Sequence, residues 1–157
     1  IRRPVRFVIY YKINKLPLLH FVSRTARAIP IAGAGEDRAL MQRAFDEVDS
    51  ALQAGDVVCL FPEGRLTANG VMNKFKTGVE RILERSPVPV ISMCLYGLWG
   101  SAFSRHHGFI VWRIINGFRS RIDLTVSPPQ PPQEATAQVL QTQVADMCAA
   151  SARERGY

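Results

Sequence analysis

Acidic side chains are missing from the first 35 residues of this 157-residue chain, whose first acid is Glu36. The same stretch holds seven basic residues, which equal the whole formal net charge of +7. They are Arg2, Arg3, Arg6, Lys12, Lys15, Arg24 and Arg27. A second stretch without acids, residues 85–122, mixes arginines with tryptophan and phenylalanine. Cations among aromatic rings suit an anionic bilayer surface. Because no RNA- or DNA-binding motif accompanies them, we expect a membrane partner and not nucleic acid, with an ordinary basic surface as the alternative.

Long hydrophobic runs are also missing. The longest uncharged run, residues 86–104, would almost span a bilayer, but prolines and glycines break it into a strand and a loop. These residues are Pro87, Pro89, Gly97 and Gly100. We therefore predict no transmembrane helix and expect a protein that associates with the cytoplasmic face of a membrane.

The sequence has no closely spaced pair of cysteines and no cluster of metal-ligand residues. The three cysteines, Cys59, Cys94 and Cys148, lie far apart without a C-x-x-C pair, so we interpret them as reduced core residues of a cytosol-facing protein. His106 and His107 are adjacent but have no cysteine or acid near them, which favours a surface turn over a metal site.

Strand and helix patterns alternate along the chain. The clearest helix covers residues 37–54, where apolar residues recur at helical spacing and Gly55 follows as a C-terminal cap. Strands are predicted at 5–11, 28–31, 56–61, 88–95 and 121–126, and further helices at 16–25, 77–85 and 135–155. This alternation predicts an α/β fold in one domain, with a largely parallel or mixed central sheet and helices on both faces.

A chemical site is predicted where the strand at 56–61 ends. Pro62 stops that strand and is followed by Glu63, Gly64 and Arg65. Ligands of open α/β sheets bind outside the carboxyl ends of the strands, and a glycine lets the backbone approach them. The fork of Arg65 matches a phosphate or carboxylate, and Glu63 would orient it or hold a substrate hydroxyl. A structural ion pair between Glu63 and Arg65 is the alternative.

Three sequence blocks resemble one known family. They read FPEGRLT at residues 61–67, FKTG at 75–78 and VPVI at 88–91. In this order and spacing they look like the third and fourth motif blocks of the glycerolphosphate and lysophosphatidate acyltransferases. Upstream, Lys12, Pro17 and the block AIPI at 28–31 resemble the same family, so the likeness runs from about residue 5 to 126. The run from residues 39–45 through residues 97–101 is most similar to the acyltransferase portion of 2-acylglycerophosphoethanolamine acyltransferases and their transporter-fused relatives.

The chain departs from the family pattern at several positions. The third block commonly has a threonine between its glycine and arginine, whereas Arg65 follows Gly64 directly. The second block often ends in an arginine that binds the substrate phosphate, and the corresponding place here is near Ala32. A headgroup larger than a bare phosphate would account for that loss. The fourth block's second proline is Ser92, a change that nothing in the sequence explains.

The family's catalytic block is a histidine followed five positions later by an aspartate. The residues five positions after the histidines of this chain are Thr25, Val111 and Trp112. Such a histidine would take the proton from a glycerol hydroxyl, and the aspartate would fix its tautomer. The chain opens at Ile1 without a methionine, so we expect residues 1–157 to be an acyltransferase domain fragment with this block upstream.

The resemblance implies transfer of a fatty acyl group to the glycerol hydroxyl of a lysophospholipid or glycerolphosphate. The acyl donor would be a carrier-protein or coenzyme A thioester, used as a co-substrate without a further cofactor or metal. Substrate-binding residues would be Glu63, Gly64, Arg65 and, as a second cation, Lys76, and no catalytic residue is assigned in this chain. The alternative is a phospholipid-headgroup or membrane-binding module that kept the fold and lost the chemistry.

Overall fold

The computed structural model of the protein describes residues 3–12, 25–33, 35–65, 71–97 and 122–154. Most of the predicted helix at 16–25, and residues 98–121 of the second acid-free stretch, lie outside the described residues. The sequence predicts one domain, and within the chain two compact units form. Unit 1 comprises Ile1–Gly64 and Gly78–Val88, and unit 2 comprises Arg65–Thr77 and Pro89–Tyr157.

Unit 1 contains a parallel sheet of three strands. They are β1, Val5–Tyr10, β2, Ile29–Ile31, and β3, Val57–Cys59. The strand order is β2-β1-β3, with Val8 opposite Ile29 and Phe7 opposite Cys59. The strands are rich in β-branched and aromatic residues, which fit a pleated surface. Pro30 is tolerated because β2 lies at an edge of this sheet, where a missing N–H breaks no second ladder.

Helix α1, Arg38–Gln53, connects β2 to β3 and confirms the prediction for residues 37–54. It begins where the Asp37 carboxylate accepts a hydrogen bond from the Leu40 N–H at 2.8 Å. It ends in a Schellman motif, in which Gly55 N–H donates to Leu52 and Asp56 N–H donates to Ala51, both at 3.0 Å. The left-handed φ of +82° at Gly55 closes this turn.

One face of α1 packs on the sheet. Ala44 and Val48 are buried against Ile29 of β2, and aliphatic residues of β1, β2 and β3 pack around them. Burying a Val or Ile side chain contributes about 1.5–3 kcal/mol, so this cluster supplies much of the stability of unit 1. The apolar stripe of α1 therefore packs on β2 and β3, the strands on either side of β1.

Helix α2, Gly78–Arg85, follows the FKTG block and belongs to unit 1. Val79 and Leu83 are buried, whereas Arg85 donates to Asp46 of α1 at 2.8 Å. This guanidinium holds the pKa of the Asp46 carboxyl below its ordinary value. The ion pair attaches the last turn of α2 to α1, and its exposure to water makes it a minor stabilising term.

Unit 2 contains a two-stranded antiparallel sheet and one long helix. The strands are β4, Met93–Tyr96, and β5, Asp123–Val126. Helix α3, Ala137–Glu154, packs on both strands, as the sequence predicts for residues 135–155. The Thr125 and Ser151 hydroxyls lie 3.0 Å apart and join β5 to this helix.

The predicted strand at 88–95 is shorter than expected. Only its end is in β4, and before it Val90 forms an isolated antiparallel bridge with Gln130. Pro87 and Pro89 have no N–H to donate to a ladder, so regular pairing begins after them. The prediction was wrong for this first part of the run.

The interpretation of all three cysteines as reduced was also wrong. Cys94 of β4 and Cys148 of α3 form a disulfide with their Cα atoms 5.8 Å apart, and Cys59 is free. The two cysteines are 54 residues apart in sequence, and packing of α3 on β4 brings them together. The sequence gives no local signal for such a pairing.

The α/β fold class predicted from the alternating pattern is confirmed, with a parallel sheet in unit 1 and an antiparallel pair in unit 2.

Among the helices that the structure describes, none combines the length and the hydropathy that crossing a bilayer requires.

Candidate functional site

A tight turn follows the half-buried strand β3 at its carboxyl end. Gly64 N–H donates to the Phe61 carbonyl at 3.0 Å, which closes a four-residue turn with Pro62 and Glu63 at its centre. Proline suits the second position of such a turn because its φ is fixed near −65°. Gly64 has a left-handed φ of +63°, which an L side chain adopts only with strain. The glycine of the third block is thus required by the backbone.

Within unit 1, Glu63 lies in this turn and Cys59 precedes it. Glu63 is half-buried, with its backbone at the tip of the turn. Cys59 ends β3, and partial burial raises the pKa of its thiol. Because the thiolate is the nucleophilic form, this cysteine stays a neutral thiol near pH 7 and is not an activated nucleophile.

Arg65 belongs to unit 2. Its Nε donates to the Asn73 side-chain oxygen at 3.0 Å, and the arginine side chain is exposed. The asparagine fixes one edge of the planar guanidinium, which leaves the group oriented while it remains accessible to a ligand. Sequence reasoning did not assign Asn73, because it lies outside the sequence blocks and its contact with Arg65 depends on the fold of the segment between them.

Lys76 is exposed and lies next to an anchored residue. The Phe75 side chain is 7% exposed, and its backbone N–H donates to the side-chain oxygen of Gln141 on α3 at 3.0 Å. The backbone next to Lys76 is therefore fixed while the lysine side chain reaches into solvent. Arg65 and Lys76 both belong to unit 2, and Glu63 and Gly64 belong to unit 1.

The structure adds a polar cluster that sequence reasoning missed. The Tyr10 hydroxyl, at the end of β1, lies 2.6 and 2.8 Å from the two carboxylate oxygens of Glu36, which follows β2. Lys12 lies 3.4 Å from the same carboxylate. Carboxyl ends of parallel strands meet at one edge of a sheet, and β3 ends at that edge with Glu63 and Gly64. The signal in the sequence is Glu36 itself, the first acid, placed just after a predicted strand.

This cluster changes the titration of its three members. The hydrogen bond to Glu36 raises the pKa of Tyr10, and the same bond lowers the pKa of Glu36. The pKa of Lys12 is raised, first by Tyr10 and then by Glu36. Near pH 7 the cluster is therefore a protonated phenol, a carboxylate and an ammonium. All three groups are exposed, so the cluster orients polar groups at the sheet edge and adds little stability.

The predicted substrate-binding side chains offer charges and a hydrogen-bond acceptor. Arg65 and Lys76 are cations, Glu63 is a hydroxyl acceptor, and no histidine of this sequence has an aspartate five positions later. An arginine fork held at one edge is suited to a phosphate. Within unit 2, Arg65 and Lys76 therefore offer positive charge of the kind that a phosphate binds.

Comparisons with known proteins give a family and a fold for this chain. The family model for Acyltransferase matches residues 1–96. No curated protein matches the chain by sequence. Among solved structures, the crystal structure of the 1-acyl-sn-glycerophosphate (LPA) acyltransferase PlsC from Thermotoga maritima matches with a TM-score of 0.64 at 17% identity. That match covers 98% of this chain and 57% of the PlsC chain, so our chain spans little more than half the length of this structural relative.

The two matches show different properties of the chain, its family and its fold. At 17% identity the likeness to PlsC shows the fold, and the family model shows the kinship. The family model covers both the turn with Gly64 and the anchored segment before α2. The family model confirms the resemblance of the sequence blocks to acyltransferases, and the chain belongs to the acyltransferase family.

Proposed function

We propose that this chain carries the acceptor-binding part of an enzyme that transfers a fatty acyl group from a thioester to a lysophospholipid or glycerolphosphate. The observation that carries this proposal is the turn after β3, in which Gly64 has a φ of +63° and Arg65 follows directly. The turn supports the proposal because α/β proteins bind ligands outside the carboxyl ends of their strands, and Glu63 and Gly64 follow β3 there.

Each residue has a role in positioning the acceptor. Arg65 binds the acceptor phosphate, with one edge of its guanidinium held by Asn73. Lys76 supplies a second positive charge, and Glu63 accepts a hydrogen bond from the glycerol. In the reaction, the acceptor hydroxyl oxygen bonds to the thioester carbon, the C–S bond breaks and a thiol leaves. The hydroxyl proton passes through a general base to the leaving sulfur, and we assign that base to a histidine of a His-x-x-x-x-Asp block outside this chain.

The acceptor class follows from a missing cation. Ala32 stands where the second block often has its phosphate-binding arginine, and it is buried with 4% exposure. No charge reaches a ligand from that position, so Arg65 and Lys76 carry the phosphate contact in this chain. We propose a lysophospholipid whose headgroup is larger than a bare phosphate, the acceptor class that the likeness to 2-acylglycerophosphoethanolamine acyltransferases implies.

A membrane surface is the proposed site of action. One face of the β4–β5 sheet exposes aliphatic side chains, because Met93 lies opposite Val126 and Leu95 opposite Leu124. These four side chains are 41–57% exposed. Apolar patches on a protein surface mark sites of interaction with membranes or other proteins, and the positive N-terminal stretch adds attraction to anionic lipid.

The second candidate is a binding module of the same fold without catalysis. It is favoured by one observation on this sequence, the lack of a histidine with an aspartate five positions later. Such a module would still bind a phospholipid headgroup through Arg65 and Lys76.

One experiment separates the two candidates. Acyl transfer from a labelled thioester to a lysophospholipid is measured for residues 1–157 and for the same protein extended upstream to include a His-x-x-x-x-Asp block. We expect the shorter chain to be inert, the extended chain to be active, and replacement of the added histidine by alanine to abolish transfer. Activity of residues 1–157 that survives substitution of His20, His106 and His107 would overturn the mechanism. An extended chain that binds lysophospholipid without acylating it would favour the binding module.

A further inference from the structure

A single side chain of α3 anchors the segment that carries the proposed cations. The Gln141 oxygen accepts a hydrogen bond from the Phe75 backbone N–H at 3.0 Å, and this contact is partly buried. Two residues before Phe75, Asn73 holds the Nε of Arg65, and one residue after it comes Lys76. Phe75, the anchored residue, therefore lies between Asn73, which orients Arg65, and Lys76. All of these residues belong to unit 2.

The helix that carries Gln141 is itself covalently fixed. Cys148, seven residues further along α3, is bonded to Cys94 of β4. Residues seven apart lie on one face of a helix, about 10 Å apart along its axis. Between them, Gln143 accepts a hydrogen bond from the Ser92 hydroxyl at 2.7 Å, which ties the same part of α3 to the segment before β4. The disulfide and the anchor thus act on one stretch of α3.

We propose that Gln141 is a positioning residue for the acceptor site, and that the Cys94–Cys148 disulfide makes its hold redox-dependent. The proposal rests on the proposed function, because it assigns Gln141 to the segment of Arg65 and Lys76. In the oxidised protein α3 is fixed on β4 and Gln141 holds Phe75. In the reduced protein α3 moves more freely on the sheet, the bond from Phe75 opens more often, and the two cations are less well placed for a phosphate.

The chemical step is a thiol–disulfide exchange with a dithiol reductant. Cys94 is 1% exposed, whereas Cys148 is partly accessible, so the attacking thiolate reaches the Cys148 sulfur. The S–S bond breaks, and Cys94 leaves as a thiolate that takes up a proton. The second thiol of the reductant then releases Cys148 as a thiol and forms the reductant's own disulfide. Two electrons and two protons pass from the reductant to the pair.

The anchor is tested by amide hydrogen exchange of the 157-residue chain. Replacing the acceptor oxygen by a thioether, Gln141→Met, should lower the protection of the Phe75 amide about tenfold, because one partly buried bond is lost. Gln141→Glu keeps an oxygen at the same place and should retain the protection. Amides of Ala44 and Val48 in α1 serve as the folding reference and should not change. Equal Phe75 protection in wild type and Gln141→Met would overturn the positioning role.

The redox dependence is tested on the same amide with dithiothreitol as the reductant. Phe75 protection should fall on reduction of the wild type, and Cys94→Ala/Cys148→Ala should show the low value with and without reductant. Cys59→Ala removes the free thiol only and should respond as the wild type does. Alkylation of all three cysteines before any reduction would overturn the proposal. Unchanged Phe75 protection after proven reduction would overturn it as well.

The same samples separate this proposal from the proposed function. Binding of sn-glycerol 3-phosphate should weaken severalfold on reduction and in Gln141→Met, and recover in Gln141→Glu. If sn-glycerol 3-phosphate binds with an affinity that stays the same in every sample with a less protected Phe75 amide, the positioning role of Gln141 is refuted and the phosphate site stands. If protection of the Phe75 amide falls when the disulfide is reduced but Arg65→Ala leaves probe binding unchanged, the redox-dependent hold of Gln141 on Phe75 is supported and the phosphate site is refuted.

Discussion

The hydroxyl of Tyr10 lies 2.6 Å and 2.8 Å from the two carboxylate oxygens of Glu36, 26 residues later in the chain. The contact joins the end of β1 to the loop after β2, and Lys12 completes it at 3.4 Å from the carboxylate. The Lys12 ammonium also lies 5.5 Å and 5.6 Å from the ring centres of Tyr10 and Tyr11, within reach of a cation–π interaction. Glu36, the first acid of the chain, is therefore placed against one of the seven N-terminal cations.

Replacing this carboxylate should change the titration of its neighbours. In Glu36→Gln we expect the pKa of Tyr10 to move down, because the hydrogen bond to the carboxylate that raises it most is gone. The pKa of Lys12 should fall only in part, because Tyr10 is the larger cause of its rise and Glu36 the second. A pH titration followed by NMR of the tyrosine ring measures the first shift. Glu84→Gln, an exposed carboxylate on α2, is the matched control. An unchanged Tyr10 titration in Glu36→Gln would contradict the cluster.

The same shifts set the pH windows in which the cluster contributes to stability. The pKa of Glu36 is lowered on folding, so its small contribution is present above the unfolded value and is lost as the pH falls through the folded value. The pKa of Tyr10 is raised, so its contribution is present below the ordinary value of 10.0 and is lost as the pH rises through the folded value. Glu36→Gln should lack both dependences.

The end of α1 offers a test of backbone conformation without a steric clash. Gly55 has a φ of +82°, and a Cβ built there meets no atom within 4 Å. Gly55→Ala should therefore destabilise the protein by about 1–2 kcal/mol through backbone strain. Gly35→Ala is the control, because that glycine also has open space but no left-handed φ, and its effect should stay within about 0.5 kcal/mol. Urea unfolding of both variants measures the difference, and equal midpoints would contradict the strain.

Much of unit 1 follows from local sequence patterns. The spacing of Ala44 and Val48, the cap at Asp37 and the glycine at position 55 each specify α1 within a few residues. The position of Gly64 at the strand end likewise predicts a backbone turn that only glycine adopts easily. In each case the determining contacts join residues that are close in sequence.

Contacts between distant residues could not be predicted. The Cys94–Cys148 disulfide depends on how α3 packs on β4, across 54 residues, and three cysteines without local spacing specify no pair. The contacts of Glu36 with Tyr10 and of Gln141 with Phe75 have the same origin, since each joins residues from separate elements. The arginine of the third block could be named from sequence, but the asparagine that orients it could not.

Binding to lipid tests the membrane surface. Arg6 forms an ion pair with Glu47, and Lys12 pairs with Glu36, so these two N-terminal cations are partly neutralised within the protein. The chain should still float with phosphatidylglycerol vesicles in preference to phosphatidylcholine vesicles, and added salt should weaken this binding.

A pair of arginine variants locates the charge that acts. Arg3→Ala, at an exposed N-terminal position, should weaken flotation with anionic vesicles more than Arg153→Ala, which removes the same charge from the end of α3. Equal flotation with both lipids, independent of salt, would assign the N-terminal charge to an ordinary basic surface.

Arg65 gives the sharpest test of the acceptor site. In an active, upstream-extended protein, Arg65→Ala should lower kcat/KM for the lysophospholipid by about 10- to 100-fold, the loss expected for a charge-assisted contact to phosphate. Arg65→Lys should recover part of this, because a point charge keeps the attraction but loses the two-pronged geometry. Arg43→Ala removes an exposed arginine from α1 and should leave acceptor kinetics unchanged.

The orientation of Arg65 predicts a graded result. Asn73→Ala leaves the arginine in place but removes the oxygen that holds its Nε, so its effect should be smaller than that of Arg65→Ala. The loss in both variants should depend on the acceptor concentration and not on the thioester concentration, since the guanidinium contacts the phosphate of the acceptor. An Arg65→Ala enzyme with wild-type acceptor kinetics would remove Arg65 from the site. A loss confined to the thioester would reassign this arginine to the acyl donor.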